Sequence, residues 1–236
     1  IKIKKNDFLF YFYSINKLSK MTNIIDFNSN IDWNDFQLGK SGKIIKLYYK
    51  KKPVCFTTCS LYFPFGVNNY SNQWSNFDNY SVNSSFVDTI NKDAFLTFFN
   101  KLDEKIKNLV FDNLDLFKVV DEKQIEYCSM YKKQAVNSTY PPMINLNFKR
   151  DTNGNFSSCY FDEATQITLT ETNISDLIPK KSFFKSIISI NKVSFYNNTI
   201  YIKLDIEQLK KNNKNKALLP STSNTDFTQL LIVDDD

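Results

Sequence analysis

One long segment of this chain repeats its apolar residues at the spacing of an α-helix, while most of the remainder repeats at the spacing of β-strands. Over Ala94–Phe111 apolar residues recur every three or four positions, and Asn91 offers an N-cap, which predicts a helix. No regular alternation of strand and helix occurs, which argues against a parallel α/β sheet. The chain is therefore predicted to be mainly β with inserted helices, a barrel or a sandwich.

The predicted strands are short segments rich in β-branched and aromatic residues, bounded by Pro, Gly or Asn. Asn197-Asn198 tolerates positive φ and predicts a type I′ hairpin between the last two. A second helical or mixed segment is predicted over about Asp115–Lys133, and Thr22–Gly42 is predicted to be loosely structured. The strands are predicted at Ile44–Lys50, Val54–Phe63, Tyr80–Val87, Met143–Phe148, Ser158–Phe161, Ile167–Thr170, Phe183–Tyr196 and Thr199–Glu207.

The two ends of the chain differ from its body. The first Met is Met21, and the apolar run 8–13 (FLFYFY) lacks a signal-peptide cleavage site and is too short to span a bilayer. We expect residues 1–20 to be upstream sequence or a disordered arm. The predicted organisation is a leader and loose segment over 1–42, one folded domain over 43–209, and a disordered acidic tail over 210–236.

Charge indicates the kind of partner. The chain has 30 basic residues, of which only Arg150 is an arginine, and a net charge of +5. The body is basic and the end is acidic, with Asp234, Asp235 and Asp236 as its last residues. This distribution suits a domain that binds a polyanion with a competing tail, and an ordinary solvated surface is the alternative. Abundant Asn, Ile, Phe, Tyr and Lys indicate an AT-rich genome, viral or protist.

The residue types exclude most catalytic chemistry. There is no His, which removes Ser-His-Asp, Cys-His and His-metal sites, and no glycine-rich phosphate loop occurs. The four Cys show no CxxC spacing, which favours a reduced intracellular compartment and no zinc. Paired carboxylates such as Asp103-Glu104 lie in polar stretches and are interpreted as solvated surface. We expect no enzymatic activity, cofactor or metal.

Lysines interleaved with aromatic residues favour nucleic acid as the polyanion. Single-strand binding needs a basic groove and aromatic faces on which bases stack. Side chains alternate faces along a strand, so of Tyr48 and Tyr49, and of Phe183 and Phe184, one member each must point away from the core. The stacking candidates are Tyr48, Tyr49, Tyr62, Phe63, Phe65, Trp74 and Phe183. The phosphate candidates are Lys46, Lys50, Lys51, Lys52, Lys149, Arg150, Lys181, Lys185 and Lys203. For any one aromatic, burial in the core is the simpler role.

Three elements carry a resemblance to a known family. The stretch Lys51–Asn68 (KKPVCFTTCSLYFPFGVN), the Phe95–Val110 helix with Leu102-Asp103, and the segment Tyr140–Lys149 starting YPPM resemble the single-stranded-DNA-binding proteins of large nucleocytoplasmic DNA viruses. That family is distantly similar to the replication protein of short-tailed bacteriophages. The resemblance implies an OB-type β-barrel that coats single strands without sequence preference, and an acidic tail that competes with DNA. The stretch Val82–Val87 departs from the pattern, because it lacks the family's usual Arg.

The expected function is non-enzymatic single-stranded-DNA binding in replication, recombination or repair. The expected partners are single-stranded DNA and replication proteins recruited by the tail, with no membrane, in an intracellular setting such as a viral factory or a nucleus. The alternative is a viral structural protein or an interaction module, which would bind nucleic acid weakly and independently of salt. The sequence leaves open DNA against RNA and the oligomeric state, a homo-oligomer included.

Overall fold

The computed structural model describes residues 24–71, 77–86, 91–118, 125–132, 142–163 and 165–212. The strands within this part are β1 (Ile24–Ile25), β2 (Phe36–Ser41), β3 (Ile44–Tyr49), β4 (Lys52–Pro53), β5 (Cys55–Phe63), β6 (Val67–Tyr70), β7 (Asn79–Ser85), β8 (Glu126–Tyr127), β9 (Tyr131–Lys132), β10 (Met143–Phe148), β11 (Cys159–Asp162), β12 (Thr165–Ile167), β13 (Ser182–Tyr196) and β14 (Thr199–Lys211). The helices are α1 (Lys92–Phe111) and α2 (Ile174–Leu177), with 3-10 turns at Trp33–Asp35 and Leu114–Phe117.

Five of these strands close into a ring. Pairing runs from β14 to β10, β7, β5 and β13, and β13 pairs again with β14. The segment β13–β5–β7–β10 has the spatial order 4-1-2-3 of a Greek key, counted along the five ring strands. The β10–β14 pair is parallel, whereas the other four pairs of the ring are antiparallel.

Beyond the ring, the long β13–β14 hairpin continues into a sheet with two further strands. Val193 on β13 pairs with Ile45 on β3, and β3 pairs along its length with β2, so four strands lie in the order β14–β13–β3–β2. We call this the hairpin sheet. One of its faces carries Ile45, Leu47 and Val193 and belongs to the main apolar core.

Helix α1 packs on the core side of this sheet, against β2 at its edge and against β5 of the ring. Its buried residues recur at helical spacing, from Phe95 and Phe98 to Ile106 and Val110. Phe98 packs edge-on against Phe56 of β5, with ring centroids 5.4 Å apart. The opposite face of the hairpin sheet has no such covering among the described residues, and Ile44, Tyr196 and Tyr201 are exposed on it.

A single carboxylate joins α1 to the segment that follows it. Asp103 accepts hydrogen bonds from the Tyr127 hydroxyl at 2.8 Å, the Ser129 hydroxyl at 2.6 Å and the Met130 backbone N–H at 3.0 Å. Burial raises the pKa of Tyr127, and the Asp103 charge raises it further. Tyr127 is therefore held in its protonated form, which donates to Asp103.

The helix over Ala94–Phe111 is confirmed, as is the hairpin at Asn197-Asn198, where both residues have positive φ and Tyr196 pairs with Thr199. Of the two alternatives predicted over Asp115–Lys133, helical or mixed, the described part has the mixed one. That part holds one 3-10 turn and the strands β8 and β9, because each short apolar group pairs with a neighbouring strand.

The prediction of loose structure over Thr22–Gly42 is wrong, since Ile24–Ile25 and Phe36–Ser41 are strands. Strand β2 was missed because polar residues and Gly39 hide its alternation, in which only Phe36 is buried. The mainly β class with inserted helices is confirmed. No described helix has both the length and the apolar character needed to cross a membrane.

Candidate nucleic-acid interface

The structure separates each adjacent aromatic pair as strand geometry requires. Tyr49 points into the core against Phe36, with ring centroids 4.7 Å apart, and Tyr48 lies on the other face. Likewise Phe184 packs in the core against Phe63. Phe183 lies on the opposite face against Tyr62, with ring centroids 4.9 Å apart. Tyr49 and Phe63 thus have the placement of core residues.

Three lysines lie in a row across the open face of the hairpin sheet. Lys192 on β13 pairs directly with Lys203 on β14. The pairing of Val193 with Ile45 brings Lys46 of β3 opposite Lys192 on its other side. We call these three residues the lysine row. Like charges directly opposite each other destabilise a sheet, so the arrangement has a cost that an anionic ligand removes.

The lysine row carries little compensating charge within the described chain. Only Lys203 has a carboxylate partner, Asp205, with its Nζ 3.7 Å from Oδ1. Lys46 and Lys192 take part in none of the described ion pairs. The positive charges of Lys46 and Lys192 are thus balanced by solvent ions or by a ligand.

Aromatic faces flank the lysine row. The Tyr48 ring lies over Gly39 of β2, where an added Cβ would meet the ring Cε2 at 3.0 Å. A glycine here leaves room for the Tyr48 ring close to the backbone of β2, at the position that pairs with Lys46. On the other side Tyr201 is 42% exposed, and it lies two residues before Lys203 on the same face of β14. Lysines and flat aromatic rings on one face can bind phosphates and stack bases together.

Lys50 and Lys51 form the two-residue turn between β3 and β4. Their φ values are 49° and 63°, and Tyr49 pairs with Lys52, so the turn has the geometry of a type I′ hairpin. Asn and Gly are preferred at such positions, since positive φ strains other side chains. Two lysines are therefore presented at the tip of a turn that they destabilise, next to Asp35, 3.8 Å from Lys50.

Replacing Lys50 by Asn and Lys51 by Gly should increase stability and decrease nucleic-acid affinity. Relief of positive φ should raise the free energy of unfolding by about 1–2 kcal/mol. Loss of two charges should weaken oligonucleotide binding and its salt dependence. Chemical denaturation and fluorescence anisotropy measure the two effects.

The matched control is Lys50→Gln with Lys51→Gln, which removes the same charges and keeps the strain. This control should lose affinity without gaining stability. Equal affinity of all three proteins would show that the turn does not contact the ligand.

Lys149 and Arg150 already hold carboxylates. The Lys149 Nζ lies 2.6 Å from Glu207 Oε1. Arg150 lies 2.5 Å from Glu171, donates to the Gly154 carbonyl and sits over the ring of Phe156, its guanidinium carbon 4.4 Å from the centroid. Arg150, the only arginine, thus holds the turn after β10 together and ties it to Glu171.

A second group of candidates lies at the start of β13. Lys181 is exposed with φ of 58°, and its backbone N–H donates to the Phe63 carbonyl at 2.8 Å. Lys185 pairs with Lys210 of β14 on the side that carries Phe183. Phe65 is half-buried beyond the end of β5. Strand geometry puts Lys185 roughly 23 Å from Lys192 along β13, so these residues form a separate group from the lysine row.

The outer face of β7 and β10 is lined by amides instead of lysines. The Asn145 side chain donates to the Asn83 side chain at 3.0 Å, and Asn147 donates to the Leu204 carbonyl at 3.0 Å. Tyr70 of β6 is 46% exposed and directs its hydroxyl to Asn147 Oδ1 at 3.5 Å. Asn147 pairs with Asp205, so this amide face continues into the hairpin sheet beside Lys203.

The structure adds Lys192, Tyr201 and Tyr70 to the candidate residues. Tyr201 lies in the interleaved stretch 201–203, from which only Lys203 was chosen as a candidate. Lys192 has no such local signal, and strand register alone brings it beside Lys46 and Lys203. Trp74 and the acidic residues Asp234, Asp235 and Asp236 lie outside the described residues. The described part of the chain contains no cluster of three His, Cys, Asp or Glu residues that could hold a metal.

Comparison with known proteins found no matching family model and no matching curated protein. Among solved structures, the chain is similar to the single-stranded DNA-binding protein of bacteriophage Enc34, solved in complex with single-stranded DNA. The TM-score is 0.47 and the identity 12%, over 75% of this chain and 94% of that one. It is also similar to gp2.5, a single-stranded DNA-binding protein of bacteriophage T7. Here the TM-score is 0.44 and the identity 11%, over 66% and 90% of the two chains. Similarities of this size carry no function over to this chain.

Proposed function

We propose that this protein binds single-stranded DNA, without catalysis, on the open face of the hairpin sheet. The lysine row is the observation that carries the proposal. Three adjacent strands place Lys46, Lys192 and Lys203 opposite one another on a face that the described residues leave uncovered. Spaced at about 5 Å, the width of one strand, three cations suit the closely spaced charges of a nucleic-acid backbone.

The aromatic residues favour a single strand over a duplex. Tyr48 and Tyr201 present ring faces, which can stack on a base only if that base is unpaired. The amide face adjoining Lys203 extends the interface with groups that donate and accept hydrogen bonds without charge. Bases and sugars, rather than phosphates, fit that part of the surface.

We further propose that the ring is a barrel of the OB type. Its five strands, Greek-key order and single parallel pair support this assignment. Such barrels bind oligonucleotides on the face of their second and third strands, which are here β7 and β10, the strands of the amide face.

We propose that the acidic end of the chain competes with DNA for the basic surface. In the absence of DNA, the acidic end would occupy the open face of the hairpin sheet, and when DNA displaces it, it would recruit replication partners. Its acidic residues are Asp234, Asp235 and Asp236. A version ending at Thr225 should then bind DNA more tightly than the full chain.

Fluorescence anisotropy of a labelled oligothymidylate tests the proposal. The full chain should bind it tightly, with log affinity falling linearly against log salt, and should prefer it to duplex. An equal-length RNA competitor decides between DNA and RNA. Absence of binding at low salt would overturn the proposal in favour of a structural or interaction protein.

Tyr70→Ala should weaken binding without changing its salt dependence. The loss of one stacking contact is worth about 1–3 kcal/mol, whereas the number of neutralised phosphates stays the same. Tyr70→Phe keeps the ring and should behave as the wild type. A salt slope altered by Tyr70→Ala would contradict an uncharged contact at this position.

A further inference from the structure

A buried carboxylate lies directly beneath the lysine row. Asp205 is 1% exposed and faces the same side of β14 as Lys203. One of its oxygens, Oδ2, accepts a hydrogen bond from the Asn191 amide at 2.6 Å. The other oxygen, Oδ1, accepts no hydrogen bond and lies 3.7 Å from the Lys203 Nζ. Lys203 is therefore its only described counter-ion at contact distance.

The surroundings of Asp205 leave it dependent on that lysine. Across the β10–β14 pair it faces the neutral Asn147, and across β13 it faces Ser189. The charged groups nearby are Lys203, Lys149 and Glu207, and Lys149 is itself paired with Glu207 at 2.6 Å. Cys55 adds no charge, since burial, reinforced by Glu207, raises its pKa to about 12.

We propose that a strand phosphate displaces Asp205 from Lys203, and that Asp205 takes up a proton from solvent when the strand binds. The inference rests on the proposed function. Lys203 turns from the carboxylate to the phosphate, and a buried carboxylate without a counter-ion binds a proton instead of remaining ionised. Asp205 thus acts as an internal competitor that holds Lys203 in place in the free protein.

The sign of the pH dependence follows from the two states. In the free protein burial raises the pKa of Asp205, and Lys203, the Asn191 hydrogen bond and Lys149 oppose the rise. Withdrawal of Lys203 raises that pKa further, so the complex binds more protons than the free protein between the two pKa values. The affinity for the strand should increase as the pH falls below the pKa that Asp205 has in the complex. It should become constant below the pKa that Asp205 has in the free protein.

The test compares wild type and Asp205→Asn with oligothymidylate, because thymine does not titrate in the acidic range. Asp205→Asn should bind about twofold to fivefold more tightly at neutral pH, because the strand then has no ion pair with Lys203 to break. Over the pH range in which the affinity of the wild type increases, the affinity of Asp205→Asn should stay constant. Calorimetry in buffers of different ionisation enthalpy should show proton uptake for the wild type and none for the variant.

The matched control is Glu207→Gln, a neighbouring carboxylate that holds Lys149 instead. This control should keep proton uptake and a pH-dependent affinity, with the profile displaced to lower pH because Glu207 contributes to the raised pKa of Asp205. Identical pH profiles for wild type and Asp205→Asn would overturn the role of Asp205 and leave the DNA-binding proposal intact. Absence of binding by all proteins would overturn both.

Discussion

Replacement of Lys46, Lys192 and Lys203 together by glutamine should weaken oligothymidylate binding by about a hundredfold at low salt. Each exposed contact with a phosphate is worth up to about 1 kcal/mol, and three such contacts multiply to that factor. The slope of log affinity against log salt should fall by about 2, since each neutralised phosphate of a single strand contributes about 0.7. A salt titration by anisotropy measures both quantities.

Of the three substitutions, Lys46→Gln and Lys192→Gln should not lower the stability, whereas Lys203→Gln leaves the buried Asp205 without its counter-ion and should lower the stability at neutral pH. Lys192 and Lys203 are directly opposed like charges, and glutamine removes their repulsion while keeping most of the side chain. Affinity is therefore compared well below the denaturation midpoint of the triple variant, where a loss of affinity cannot come from unfolding.

The control variant carries the same change of charge on the other side of the sheet. Lys101, Lys105 and Lys107 lie on α1, which covers the core side. Their replacement by glutamine should leave the affinity within about twofold to threefold, through the long-range field alone. Equal losses in the two triple variants would mean that net charge, and not the lysine row, determines binding.

Asp103→Ala should destabilise the protein by about 3 kcal/mol, the largest effect on stability that we expect from one surface-accessible residue. The substitution removes three hydrogen bonds to a carboxylate and leaves the Ser129 hydroxyl and the Met130 N–H without this acceptor, while the Tyr127 hydroxyl keeps only the backbone carbonyl of residue 103, at 3.2 Å. Urea denaturation at constant m-value measures the loss.

Glu104→Ala is the matched control, because Glu104 is exposed on the same turn of the helix and makes none of these contacts. Its effect should stay within about 0.5 kcal/mol. Combination with Tyr127→Phe should show a coupling energy of about 1 kcal/mol or more between the two positions. Additive effects would show that the Tyr127–Asp103 hydrogen bond does not stabilise the fold.

The parts of the fold that local patterns determine could be predicted from the sequence. Helix α1 carries its own periodicity, and Asn197-Asn198 carries its own preference for positive φ. Strand β2 could not be predicted, because it exists through its pairing with β3 and buries only Phe36 of its six residues. The closure of the ring depends on pairings between distant segments, which no local pattern records.

The candidate interface shows the same division. Alternation along single strands correctly predicted that Tyr48 and Tyr49 lie on opposite faces, as do Phe183 and Phe184. The sequence could not show which basic residues are already paired with a carboxylate. The carboxylates that bind Lys149 and Arg150 lie 58 and 21 residues away along the chain. Lys192 was missed for the converse reason, since its neighbours in the lysine row come from other strands.

Ring closure has a consequence for how the chain folds. Thr58 of β5 and Ser186 of β13, which exchange hydrogen bonds, are 128 residues apart. Such distant pairing is slow to form, because the entropy of a long loop must be lost before any contact compensates. During synthesis the β13 side of β5 stays unpaired until β13 has left the ribosome. A nascent chain that stops before Ser182 therefore presents an apolar strand edge, the kind of edge on which aggregation begins.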